Sequence, residues 1–91
     1  MAQRGEGILG IYVARQDTPP FGQCKCGKPA TVKVVWVIAE GSPAHQATQR
    51  EGLECVIGEG GALTTQWLEC EDCNREQVQA KRLRQRIEEH D

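Results

Sequence analysis

Apolar and polar positions alternate along several stretches of the chain and follow a helical period in one. Thr31 to Ile38 (TVKVVWVI) gives the strongest alternation. Val32, Val34, Trp36 and Ile38 share one face and Thr31, Lys33, Val35 and Val37 the other, which predicts a central strand. Ile8 to Arg15 (ILGIYVAR), rich in β-branched and aromatic residues, predicts a second strand, ended by the consecutive Pro19 and Pro20. Leu53–Ile57 and Ala62–Glu69 predict a hairpin through Gly58-Glu59-Gly60-Gly61. Residues 41–52 (GSPAHQATQREG) show no apolar period and read as an exposed, mobile loop. From Cys70 to His90 there is neither proline nor glycine, and helix formers dominate. This predicts one C-terminal helix whose apolar stripe, Ala80, Leu83 and Ile87, spans about 60°.

Composition changes this picture in one respect. Of 91 residues 38% are apolar, and the aromatic ones are Tyr12, Phe21, Trp36 and Trp67. So thin a core calls for a staple, and five cysteines supply the means. No run approaches the roughly 18 apolar residues of a membrane span, and MAQRGEGILG lacks a signal peptide's apolar stretch. We therefore expect a soluble, cytoplasmic protein, where thiols stay reduced and paired cysteines usually hold metal. One domain is expected over residues 1–91: an N-terminal strand and proline-rich turn (1–23), a metal-binding core (24–73) and a C-terminal helix (74–91).

Cys24-x-Cys26 and Cys70-x-x-Cys73 carry the chemistry. Zinc takes four tetrahedral ligands, and two short cysteine pairs far apart in sequence meet that need by closing a loop. Gly27 suits a knuckle that requires positive φ. Asp72 and Cys73 sit where the helix begins, so the last thiolate faces free amides and the positive end of the helix dipole. The expectation is one structural Zn²⁺ on Cys24, Cys26, Cys70 and Cys73. Cys55 alternates with Leu53 and Ile57 and reads as a small core hydrophobe, the alternative being a fourth ligand in place of Cys24 or Cys26. His45 and His90 read as solvated.

The stretches CKCGKPATVKV and WLECEDCNREQ resemble the treble-clef class of zinc fingers, and within it the zinc modules of bacterial arginine-kinase activator proteins. The resemblance covers residues 24–76 and departs at the first pair, which has one intervening residue instead of two. It implies a small α+β fold: a zinc-stabilised antiparallel sheet of three or four strands with one C-terminal helix. Such scaffolds serve many functions.

The net charge of −2 hides a segregation. Residues 1–39 carry five basic and two acidic side chains, residues 40–73 one against seven, and residues 74–91 five against four. Neither a continuous basic stripe nor a high pI marks the chain as a nucleic-acid binder. No nucleophile constellation, acid–base pair or phosphate-cradling loop is present, so neither an enzyme nor a small-molecule substrate is expected. The remaining classes are an adaptor or modulator that binds another protein, and a nucleic-acid-binding zinc finger using Lys25, Lys28, Lys33 and the helix arginines. The acidic balance favours the first. The C-terminal stripe can dock on the sheet or project toward a partner, and we expect the helix to carry much of the partner contact, with Arg82, Leu83, Arg86 and Ile87 as the contact residues.

Overall fold

The alternating segments pair as their patterns require. In the computed structural model, which describes residues 6–89, the strands are β1 (Ile8–Arg15), β2 (Gly22–Gln23), β3 (Pro29–Ala30), β4 (Val32–Ile38), β5 (Cys55–Ile57) and β6 (Leu63–Glu69). The helices are α1 (Pro43–Arg50), α2 (Glu71–Arg75) and α3 (Val78–Glu89). An antiparallel sheet runs in the order β1-β4-β6-β5, and β2 and β3 form a separate two-stranded ribbon. This is the small α+β fold expected from the sequence, with β4 central and β5–β6 a hairpin.

One face of the sheet carries the core. Val32, Val34, Trp36 and Ile38 are buried there beneath α1 and α3, with Trp67 of β6 and with Ala44, Ala47, Leu83 and Ile87 from the two helices. Trp36 and Trp67 meet edge to face, their centroids 5.5 Å apart at 64°, an arrangement the aromatic quadrupole favours. The Arg84 guanidinium covers the outer side of Trp36 at 5.5 Å. A second, smaller cluster of Cys24, Ala30 and Cys70, with Leu68 and Cys73 against it, lies under the ribbon.

Two expectations need correction. Residues 41–52 are not a mobile loop, because Pro43–Arg50 is a helix. Ser42 caps it, its hydroxyl accepting the His45 backbone N–H at 3.2 Å, while Pro43 occupies the first turn, where its missing N–H costs nothing. The buried face consists of Ala44, Ala47 and Thr48. Small side chains let α1 come close to its neighbours, and they also hide the period. His45 belongs to this cap: its Nδ1 accepts the Gly41 N–H at 2.9 Å.

The C-terminal segment is likewise two helices instead of one. They join at Gln77, a non-glycine residue at φ 55°. A left-handed residue of this kind costs on the order of 1–2 kcal/mol, and Glu69 supplies compensation. Its buried carboxylate accepts the Asn74 side-chain amide of α2 at 3.2 Å and the backbone N–H of Gln79 in the first turn of α3 at 3.4 Å. A carboxylate at the positive end of a helix is stabilising. The bend frees α3 to lie across the sheet while α2 stays with the cysteines. His90 falls outside the described residues.

Candidate metal centre

A tight turn and a helix start bring the cysteines together. Between β2 and β3 the chain folds back through Cys24–Lys28, with Cys24 N–H donating to Lys28 O at 2.8 Å and Gly27 N–H to Cys24 O at 2.9 Å. Gly27 stands at φ 97°, the positive angle a knuckle needs and one that a side chain would strain. On the other side β6 ends at Glu69 and Cys70 caps α2, its sulfur accepting the Cys73 N–H at 3.4 Å. The four Sγ atoms of Cys24, Cys26, Cys70 and Cys73 lie within 4.8 Å of one another.

These distances fit a tetrahedral metal. A Zn–S bond of about 2.3 Å places the sulfurs of a ZnS₄ tetrahedron about 3.8 Å apart, and Cys26 Sγ lies 3.5 Å from Cys70 Sγ. All four residues named from the sequence converge, and Cys55 does not join them. It packs at the edge of the main core, its sulfur 3.1 Å from the Thr48 hydroxyl. The apolar face shared by Leu53, Cys55 and Ile57 is only partly realised, since Ile57 is exposed on the short edge strand β5.

The titration of the thiols has the character of a cation site. Burial raises the Cys24 thiol, but N–H groups of Cys26 and Cys70 and the neighbouring thiols stabilise its anion and bring it to about 6. The Cys73 thiol is pushed far up by Cys70 and then Cys24. Cys26 is also raised: Lys28 lowers it through a backbone hydrogen bond, but Cys70 and Cys24 outweigh that. One thiolate forms readily, and the Cys26 and Cys73 thiols beside it are held toward their protonated forms, a conflict that a bound cation would relieve. Ion pairs brace the rim. Lys28 and Asp72 meet at 2.6 Å across the two ligand segments, each shifted toward its charged form, and Arg75 adds a contact to Asp72 at 3.0 Å.

The residues expected to face a partner do something else. Leu83 is fully buried and Ile87 nearly so, both in the core between α3 and the sheet. Arg82 and Arg86 reach Glu51 at the end of α1, at 3.3 and 2.8 Å, and Gln79 Nε2 donates to the same carboxylate at 3.3 Å. Helix α3 therefore docks on the sheet and is clasped to α1, and its stripe is not a projecting interface. The Glu51 side chain is only 8% exposed, and nothing in the polar run Gln46–Gly52 distinguishes it beforehand.

This clasp has a pH signature. The Arg86 guanidinium holds the Glu51 carboxyl below its ordinary 4.5 against burial, which raises it, with Gln79 and Arg82 adding to the lowering. A depressed folded-state value gives stability that is complete above the unfolded value and is lost as pH falls through the folded one. Glu51→Gln should therefore cost about 1 kcal/mol at neutral pH, the exposed arginine heads limiting the loss. The melting-temperature gap between wild type and variant should hold down to about pH 4.5 and then close. Acid release of metal acts on both proteins and cancels in the difference. A gap that widened in acid would show that Glu51 is not held ionised.

Among the described residues no helix is long and apolar enough to cross a membrane. Comparisons with protein-family models, with curated proteins and with solved structures find no match for this chain.

Proposed function

We propose that the chain is a small zinc protein, its single Zn²⁺ structural, and that it works as an adaptor or modulator by binding another protein. The observation that carries the metal assignment is the convergence of four thiols within 4.8 Å. Four protein sulfurs complete a tetrahedron, leaving no position for a water or substrate, which argues for a structural ion and against catalysis. The layout of a knuckle in a β-ribbon and a second ligand pair opening a helix supports a treble-clef reading.

The choice between a protein partner and a nucleic acid rests on where the basic groups are spent. Lys28 and Arg75 pair with Asp72, Arg15 with Glu71, and Arg82 and Arg86 with Glu51. Lys33 sits over the Phe21 ring at 5.2 Å. The five paired cations are partly neutralised within the fold. Among the described residues, the basic groups without an acidic partner (Lys25, Lys33, Arg50, Lys81 and Arg84) are spread over the knuckle, β4, α1 and α3. Four thiolates around Zn²⁺ would make the chain more acidic still, which supports a protein partner over a phosphate backbone. Exposed apolar side chains are plentiful instead: Leu9, Ile11, Tyr12, Val13, Val56, Ile57 and Val78.

Two measurements on the purified protein test this reading. Elemental analysis should give about one zinc per chain, as a single tetrahedral site requires. Anisotropy titration with mixed-sequence DNA and RNA should show weak binding at physiological salt. Submicromolar binding that falls steeply with salt would reverse the choice, because steep dependence reports counterion release from phosphate contacts.

A further inference from the structure

The two edges of the main sheet differ. β5 closes one side with three residues, short enough to resist addition of another strand. β1 closes the other with eight residues, and from Ile8 to Ala14 they include no charge and no proline. Proteins blunt such edges with lysines, prolines or bulges. Here the only irregularity is a register shift between Ile8 and Gly10, and the run beyond it is regular. Leu9, Ile11, Tyr12 and Val13 are 68%, 44%, 63% and 46% exposed.

The pairing of β1 with β4 fixes which backbone groups are free. Gln16 N–H donates to Thr31 O at 2.9 Å. In an antiparallel ladder the groups directed at one neighbour alternate, so Tyr12 and Ala14 also bond to β4. Ile11, Val13 and Arg15 then direct their N–H and C=O groups away from the sheet. Arg15 is engaged with Glu71 and Asn74 at 3.2 and 3.0 Å. Among the described residues, the free, uncharged edge is centred on Tyr12.

We propose that this edge pairs with a second copy of the chain, β1 against β1, antiparallel about a two-fold axis through Tyr12. The sequence is self-complementary in that register. Ile11 of each copy opposes Val13 of the other, and these are the residues whose backbone groups point outward, so both hydrogen bonds of each pair form. Gly10 opposes Ala14. The Tyr12 ring lies against Gly10 of its own strand, where a Cβ would come within 3.3 Å of it. Small residues thus flank the axis and leave room for two tyrosines on the open face. Because a two-fold axis normal to the sheet keeps both helical layers on one side, the two sheets become continuous. Such an interface is isologous and closed, so association stops at the dimer. Strand pairing of this length buries less than a standard interface, so we expect a weak dimer whose population depends on concentration. The inference goes beyond the adaptor reading and is independent of it, since it concerns the purified chain alone.

Sedimentation equilibrium on the zinc-loaded full chain decides it. The expected mass is twice 10.1 kDa at high micromolar concentration, falling toward 10.1 kDa on dilution. Val13→Pro removes an outward N–H that the chain's own sheet does not use, and proline is tolerated at such a position. It should leave metal content and the dilute-sample melting temperature unchanged and keep the protein monomeric. Tyr12→Lys, which sets two ammonium groups face to face on the axis, should do the same through a side chain on the open face. A wild type that stays monomeric at high micromolar concentration would overturn the proposal, including one that takes up an extended apolar peptide at β1. Dimers that persist in both variants would also overturn it, and would place the contact elsewhere.

Discussion

Replacing Leu83 by glutamate should unfold the protein, whether or not Ile87→Glu accompanies it. Leu83 has no exposed surface and lies in the cluster that joins both helices to β4 and β6. Truncation to alanine at such a site typically costs about 2–5 kcal/mol through lost burial and the cavity left behind. Glutamate adds the cost of a carboxylate with no cation beside it in the core. Against a total stability of about 5–15 kcal/mol for a domain, the sum removes most or all of the folded population. Far-ultraviolet circular dichroism should show loss of the cooperative transition, and Leu83→Ala should still melt cooperatively but earlier. A Leu83→Glu protein with wild-type melting would show that the stripe lies outside the core, as a projecting partner-binding helix requires.

That outcome also measures how far the sequence speaks for the fold. The strands are legible because alternation in TVKVVWVI has one structural meaning: a strand with Val32, Val34, Trp36 and Ile38 turned inward. Helix α1 is hidden because its buried face is built from Ala44, Ala47 and Thr48, which carry no strong hydrophobic signal. The start signal Ser42-Pro43 is present in the sequence, but the amphipathic pattern that follows it is made of two alanines and a threonine and has no large apolar side chain. The break at Gln77 has no local cause to read, since glycine and proline are absent and the turn is held by Glu69, which precedes it in β6. The choice between docking and projection for α3 is tertiary: Leu83 and Ile87 have the same spacing in either case.

The site divides along the same line. Cys24, Cys26, Cys70 and Cys73 are legible because metal chemistry demands closely spaced soft ligands, and few other pressures produce two such pairs. The carboxylates of Glu51 and Glu69 are not, since each is a single acid in a polar stretch. What sets them apart is burial among donors from distant segments. Arg82 and Arg86 look like interface arginines for a related reason: an arginine fork suits a partner's carboxylate and the chain's own equally well.

Cys70→Ser should have the largest effect among the cysteines, since Cys70 acts twice. Its sulfur is a ligand candidate at the buried end of the cluster and is also the cap of α2. Structural zinc sites bind with about 10–16 kcal/mol of apparent free energy. With micromolar free metal, linkage converts this to about 2–8 kcal/mol of folding stability. At about 4–8 °C per kcal/mol for a chain of this size, the melting temperature should fall by at least about 8 °C, with near-complete loss of bound zinc. The main core does not include the cysteines of the site. The damage should therefore begin at the ribbon β2–β3 and at α2, where hydrogen exchange should rise first. Cys55→Ala is the control: it removes a thiol outside the cluster and should retain the metal. If Cys70→Ser kept full zinc content while Cys55→Ala lost it, the ligand set would be wrong. If both kept it and melted like the wild type, the cluster would be four neighbouring thiols and no metal centre.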